Sequence, residues 1–112
     1  MSSTFLGTPE EIISTLKKGN SAELSQYFNN YIDFALPDKE EIKNMGKNQA
    51  TIALKTYFDE IGVQTFQLTS QREAGSTMYI TGKLQGKTKN INLTLMLKNN
   101  NSKYSITSIR IG

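Results

Sequence analysis

Carboxylates, tyrosines, arginines, lysines and hydroxyls are the only side chains in this chain that could do chemistry, because histidine and cysteine are both absent. Without them the chain lacks the usual ligands for zinc, copper and iron, the usual neutral-pH general base, and every Ser-His, Cys-His or thiolate nucleophile. No metal and no cofactor is therefore expected, and no disulfide can form. One acid-base scheme remains, in which Asp33 or Asp59 works with a tyrosine hydroxyl on an activated substrate, as in an isomerase or hydrolase. Asp33 stands among aromatics in Tyr31-Ile32-Asp33-Phe34. A carboxyl partly buried there would be a stronger base, whereas a solvated strand residue is the plainer reading of the same position.

Two further groups suit binding better than catalysis. Tyr27, Tyr31, Tyr57 and Tyr79 are amphipathic rings of the kind that line small-molecule sites, although Tyr27-Phe28 and Tyr57-Phe58 also stand at the spacing of core stripes. Arg72 and Arg110, the only arginines, lie near strand ends. There they can clamp a carboxylate or phosphate, or close a rim ion pair with Glu73, Asp59 or Glu60. The expected ligand-binding set is Tyr31, Asp33, Tyr57, Arg72, Tyr104 and Arg110, with no catalytic residue assigned. Tyr79 and Met96 point away from the apolar faces of their strands and are expected to form an apolar spot on the outer sheet face. Lys83, Lys87 and Lys89 gather on one hairpin without interleaved aromatics, so they read as solvating and edge-protecting charge, not as a nucleic-acid site. Gly-rich phosphate loops, nucleophile elbows and internal repeats are absent.

The elements that must position these residues are written most clearly from Asn90 to Lys98, where Ile91, Leu93, Leu95 and Leu97 alternate with polar neighbours. Period two specifies a half-buried strand. At 112 residues, with 37% apolar and 21% charged content and a scattered net charge of +3, the chain reads as a lead-in over 1–7 and one soluble α+β domain over 8–112. Thr8-Pro9-Glu10-Glu11 starts a helix, with Thr8 as N-cap, Pro9 in the first turn and Glu11 closing a capping box. Ile12, Ile13 and Leu16 are its stripe, and Gly19 stops it. Asn20 or Ser21 caps a second short helix that turns Leu24, Tyr27 and Phe28 inward and breaks at Asn29-Asn30. Tyr31 to Leu36 is a short strand ended by Pro37, and Asp38 to Gly46 a polar connection. Lys47 to Ile61 is the longest helix, with Ala50, Ala53, Leu54, Tyr57, Phe58 and Ile61 on one stripe and Gly62 as its stop.

From Val63 onward four strands meander, and their turns predict registers. A two-residue turn at Gln85-Gly86 pairs Ile80 with Ile91 and Met78 with Leu93. A three-residue turn at Glu73-Ala74-Gly75 pairs Leu68 with Ile80 and sets Phe66 opposite Gly82. A turn at Asn99-Asn100-Asn101-Ser102 pairs Leu97 with Tyr104 and Leu95 with Ile106. Tyr104 and Ile106 have one parity, Ile109 and Ile111 the other. A bulge near Thr107-Ser108 is expected to bring both pairs inward, the alternative being that Ile109 and Ile111 cover a second surface.

The order helix, helix, short strand, long helix, four strands is joined by three local stretches. These are Lys17-Lys18-Gly19-Asn20-Ser21 leading into Leu24-Ser25-Gln26-Tyr27-Phe28, then Gln49-Ala50 with Leu54-Lys55-Thr56-Tyr57-Phe58, and the closing Ile106-Thr107-Ser108-Ile109-Arg110-Ile111. Together they resemble a bacterial domain-of-unknown-function family, the one numbered 4783, in the nuclear-transport-factor-two-like superfamily with its cystatin-like fold. The resemblance implies a cone-like α+β fold, order ααβαββββ, with a curved antiparallel sheet wrapped on the long helix and often a pocket at the wide end. It implies no known activity. It also implies a periplasmic or exported protein from which a signal peptide has been trimmed, with cytoplasmic residence as the alternative. Ketosteroid-isomerase-like relatives tend to carry a proton-shuttling carboxylate directly before a proline at the end of the first strand, and Leu36 holds that place here. Dehydratase-like relatives commonly use histidine.

The expected function is a non-catalytic binding module that holds a small apolar or amphipathic ligand, or a protein partner, in the cone. Two alternatives stand beside it: the His-free Asp/Tyr enzyme, and a structural protein forming a homodimer through Tyr79 and Met96 on the sheet face. No nucleic-acid partner and no stable membrane insertion are expected, since no apolar segment approaches a membrane span.

Overall fold

The computed structural model describes residues 7–112, so most of the expected lead-in lies outside the described residues. α1 (Pro9–Lys17) is opened by Thr8, whose hydroxyl accepts the Glu11 amide at 3.2 Å, while the Glu11 carboxylate accepts the amides of Thr8 at 3.3 Å and Gly7 at 2.8 Å. This capping box satisfies donors that the first turn would orphan. Ile12, Ile13 and Leu16 are buried, and Gly19 leaves the helix at φ 66°. Asn20 caps the single-turn α2 (Ser21–Leu24), and a 3-10 turn (Ser25–Tyr27) leads straight into β1 (Phe28–Ala35). α3 (Lys47–Ile61) has the expected bounds, buries Ala50, Leu54, Tyr57, Phe58 and Ile61, and stops at Gly62 with φ 64°.

β2 (Ile42–Gly46), β3 (Val63–Ala74), β4 (Thr77–Gly86), β5 (Asn90–Asn100) and β6 (Lys103–Ile111) join β1 in one sheet, ordered β2-β1-β6-β5-β4-β3. The α+β class is as expected, but the sheet is mixed and not wholly antiparallel. β1 runs parallel to β6, from Phe28 opposite Ile106 to Ala35 opposite Arg110, which is why it begins at Phe28 and not at Tyr31. The supposed polar connection contains an edge strand, β2, whose Ile42, Met45 and Gly46 sit opposite Phe34, Ile32 and Tyr31. Its five residues show no alternation of their own, so only the pairing makes them a strand. No helix among the described residues is long and apolar enough to cross a membrane.

The turns of the meander also differ from expectation, by shifts that keep each apolar face inward. Between β4 and β5 the turn spans 86–89, pairing Ile80 with Leu95 and Met78 with Leu97. The end of α3 sets it there: Gly62 and Ile61 carbonyls accept the amides of Lys87 at 3.0 Å and Thr88 at 3.3 Å, and Gly86 lies too close to the Ile61 carbonyl for any side chain. Between β3 and β4 the turn is Gly75-Ser76, Leu68 pairs with Gly82 and Phe66 with Leu84, and a bulge at Thr69 absorbs the offset. Between β5 and β6 the turn is Asn101-Ser102, with φ of 57° and 67°, so Tyr104 faces Asn99 and Ile106 faces Leu97. The bulge at Thr107 is where expected. It turns Ile109 and Ile111 inward opposite Leu95 and Leu93, and both are buried, which sets aside a second covered surface.

The sheet curls strongly. Tyr104 on β6 donates its hydroxyl to the Glu73 carboxylate on β3 at 3.1 Å, across three ladder steps that would span roughly 14 Å if flat. Gly82 on β4 has no room for a side chain, because the Phe66 ring and the Gln67 carbonyl stand where it would be. Leu93, Leu95 and Leu97 form the middle of the inner face, fully buried with Leu54, Phe58, Ile80, Leu84 and Ile106.

Candidate interaction surface on the outer sheet face

Because Ile32, Phe34, Ile80, Leu95 and Leu97 are buried on the inner side, their immediate strand neighbours point outward. The pairings then line up one residue from each of five strands. Asp33 lies beside Ser108, Ser108 beside Met96, Met96 beside Tyr79, and Tyr79 beside Arg72. A second row runs alongside it through Arg110, Thr94, Thr81 and Ser70. Over these rows runs a shallow trough of about 330 Å³ whose walls include Asp33, Glu41, Tyr79, Met96, Ser108 and Arg110.

Arg72, Arg110 and Asp33 on this face are each held, but loosely. The Arg72 guanidinium rests over the Tyr79 ring, 5.4 Å from its centroid, where the ring quadrupole attracts it. Arg110 makes a single 3.7 Å contact with Glu41 while 60% of its side chain stays exposed. Exposed pairs of that kind contribute little and re-pair easily. Asp33 accepts the Asn44 amide at 3.0 Å, fixing the bulged residue of β2, whose φ is 57°.

The expected ligand set does not converge in the cone. Asp33 and Arg110 meet in the outer trough and Arg72 stands at the end of its row, all on the side away from α3. Tyr31 is 61% exposed opposite Gly46 on β2, outside the trough. Tyr104 lies at the inner end of β6, its pKa raised by burial and then by the hydrogen bond and charge of Glu73. Tyr57 is in the core, its pKa raised by burial and then by Glu60, and no described residue partners its hydroxyl. The space between α3 and the sheet is filled by the leucines, isoleucines and phenylalanines of the core. An apolar recess of about 160 Å³ remains beside it, walled by Phe34, Leu36, Ile42, Met45 and Ala53, which is smaller than the roughly 300–1,000 Å³ of most small-molecule sites. Asp59 pairs with Lys55 at 2.7 Å on the exposed face of α3.

The residues that sequence reasoning missed here are Ser108, Thr94, the bulge residue Thr107 and Glu41. The first two are small hydroxyls on alternating strands, visible as outward residues but not as neighbours until the registers are known. Glu41 reaches the trough only because β2 forms.

Residues 9–112 match the family described as "Domain of unknown function (DUF4783)". Among solved structures the chain is similar to a DUF4783 family protein from Bacteroides ovatus ATCC 8483, at 25% identity and TM-score 0.82, covering 96% of each chain. It is similar also to one from Bacteroides uniformis ATCC 8492, at 26% identity and TM-score 0.83, covering 92% of this chain and 94% of that one. An NTF2-like protein of unknown function from Cytophaga hutchinsonii ATCC 33406 shares the fold at 14% identity and TM-score 0.63, covering 100% of this chain and 93% of that one. No curated protein matches.

Proposed function

The chain belongs to the DUF4783 family, a family of unknown function, and we propose that it is a non-catalytic interaction module whose working surface is the outer sheet face and whose occupant there is a second copy. The carrying observation is the lateral row Asp33, Ser108, Met96, Tyr79, Arg72. It has an acid at one end, a guanidinium at the other and a methionine in the middle. A two-fold axis parallel to the strands and passing over Met96 sets Asp33 against Arg72 of the second copy and Ser108 against Tyr79, with Met96 on Met96. The other in-plane axis, along the row, sets Asp33 on Asp33 and Arg72 on Arg72. Like charges so placed oppose association, so the row selects the first arrangement. Methionine, tyrosine and arginine, three of its five residues, are also among those enriched at protein interfaces. Against the Asp/Tyr enzyme stands the use of Asp33 to hold the Asn44 amide.

The test is a charge swap read by sedimentation equilibrium. Arg72→Glu alone and Asp33→Lys alone are each expected to weaken dimerisation, by about tenfold, and the double variant to recover most of that loss. Tyr79→Arg should be monomeric. A wild-type chain that stays monomeric up to millimolar concentration, or a double variant no better than the weaker single one, would remove the proposal.

A further inference from the structure

The chain's net charge is not spread evenly over the folded molecule. At one end, Lys17 and Lys18 close α1, and Gly19 packs on the carbonyl of Val63. Val63 pairs with Gly86, and the next residue, Lys87, donates its amide to the Gly62 carbonyl at 3.0 Å while its side chain lies against Gly62. The ends of two helices, the start of β3 and the β4–β5 turn therefore meet, and they bring Lys17, Lys18, Lys83, Lys87 and Lys89 to one pole, all exposed. The two lysines of α1 stand far from the other three in sequence, so only the fold assembles the group. Of these five, only Lys18 has an ion pair among the described residues, with Glu23 at 3.5 Å. Counting Glu23 and Glu60, and setting Asp59 against its ion-pair partner Lys55, the five lysines leave this pole at +3.

Part of this charge answers the helices. α1 and α3 both end here, and each C-terminus carries about half a negative charge. Together they offset about one of the three positive charges, leaving an end that is still basic. Its chemistry narrows the partner. Among the described residues the large exposed apolar side chains are Tyr31, Ile42, Ile52 and Leu68, and none stands at the ends of α1 and α3, at the start of β3 or on the β4–β5 turn. A single-stranded nucleic acid would find no ring to stack on, and a bilayer would receive no apolar wedge. What fits a blunt end of lysines is a broad plane of fixed negative charge. We propose that this pole docks on the phosphate headgroups of an anionic lipid bilayer, lying on the surface through charge alone and reversibly with salt.

Co-sedimentation of the full chain with vesicles tests this, comparing phosphatidylcholine alone with phosphatidylcholine containing about one third phosphatidylglycerol. Binding is expected only to the anionic vesicles at about 0.01 M salt and should be lost near 1 M, where the screening length falls from about 30 Å to about 3 Å. The paired variant Lys87→Glu with Lys89→Glu should weaken it at least about tenfold, whereas Lys47→Glu with Lys103→Glu, the same change in net charge at the start of α3 and of β6, at the opposite end of the molecule, should weaken it less than about threefold. Equal losses in the two paired variants, no binding to anionic vesicles at low salt, or tighter binding to a single-stranded oligonucleotide than to the vesicles would each overturn the proposal.

Discussion

Tyr57 buries a hydroxyl for which no described residue supplies a hydrogen-bond partner. Burial and then Glu60 raise its pKa above the ordinary 10.0, and burial with Glu11 and Glu23 raises that of Tyr27. Folding therefore favours the neutral phenols. Their contribution is fully present below pH 10.0, and it is lost as pH climbs from there through the raised native values, because the unfolded chain ionises first. Urea unfolding followed from neutral to alkaline pH should show that decline, and Tyr57→Phe should make it shallower. At neutral pH the same variant should gain on the order of 1 kcal/mol, since an unpartnered buried hydroxyl is destabilising relative to a ring carbon. A variant less stable than wild type would mean that the hydroxyl has a partner after all, such as an ordered water. The helical stripe in the sequence already marks Tyr57 as inward, but periodicity says which way a residue points and not what faces it. Asp33 illustrates the same limit: its partner, the Asn44 amide, is eleven residues away and belongs to a strand with no pattern of its own.

Elements with an internal signal were legible, and elements defined by their neighbours were not. α1 carries its capping box and α3 its stripe and Gly62, so both follow from local chemistry. β2 exists because β1 lies beside it, and the β4–β5 turn is placed by the end of α3. Neither cause is local. Gly82 shows how much a register can hide. Its neighbours read as an ordinary strand, yet Phe66 and the backbone of Gln67 occupy the place of its missing side chain. Gly82→Ala should therefore cost about 3 kcal/mol, seen as a lower urea midpoint with an unchanged slope. Trimming the ring as well, with Phe66→Leu, should recover little, because the Gln67 carbonyl cannot move without breaking the β3–β4 ladder. If the double variant regained wild-type stability, the ring alone would be the obstacle and the need for glycine would not rest on the close approach of the Gln67 carbonyl.

At the scale of the molecule, the two proposed surfaces constrain one another. The row on the outer face selects a two-fold axis parallel to the strands, and rotation about that axis leaves strand direction unchanged. The β4–β5 turns of both copies then point the same way, so both basic poles can rest on one plane. None of this is visible in sequence, where the lysines read as solvation and the row is scattered from Asp33 to Ser108; the sheet order turns both into surfaces. A bivalent dimer binds a surface more tightly than its monomer by effective concentration alone, commonly about a hundredfold or more. Tyr79→Arg separates this from simple charge. The substitution adds one positive charge to each chain and leaves the pole untouched, so electrostatics alone predicts equal or stronger binding to anionic vesicles. Loss of the dimer predicts weaker binding, by at least about tenfold, at protein concentrations where the wild type is dimeric. Binding of the variant as tight as wild type would show that each pole acts singly, and would break the link between the axis drawn from the row and the face presented to the bilayer.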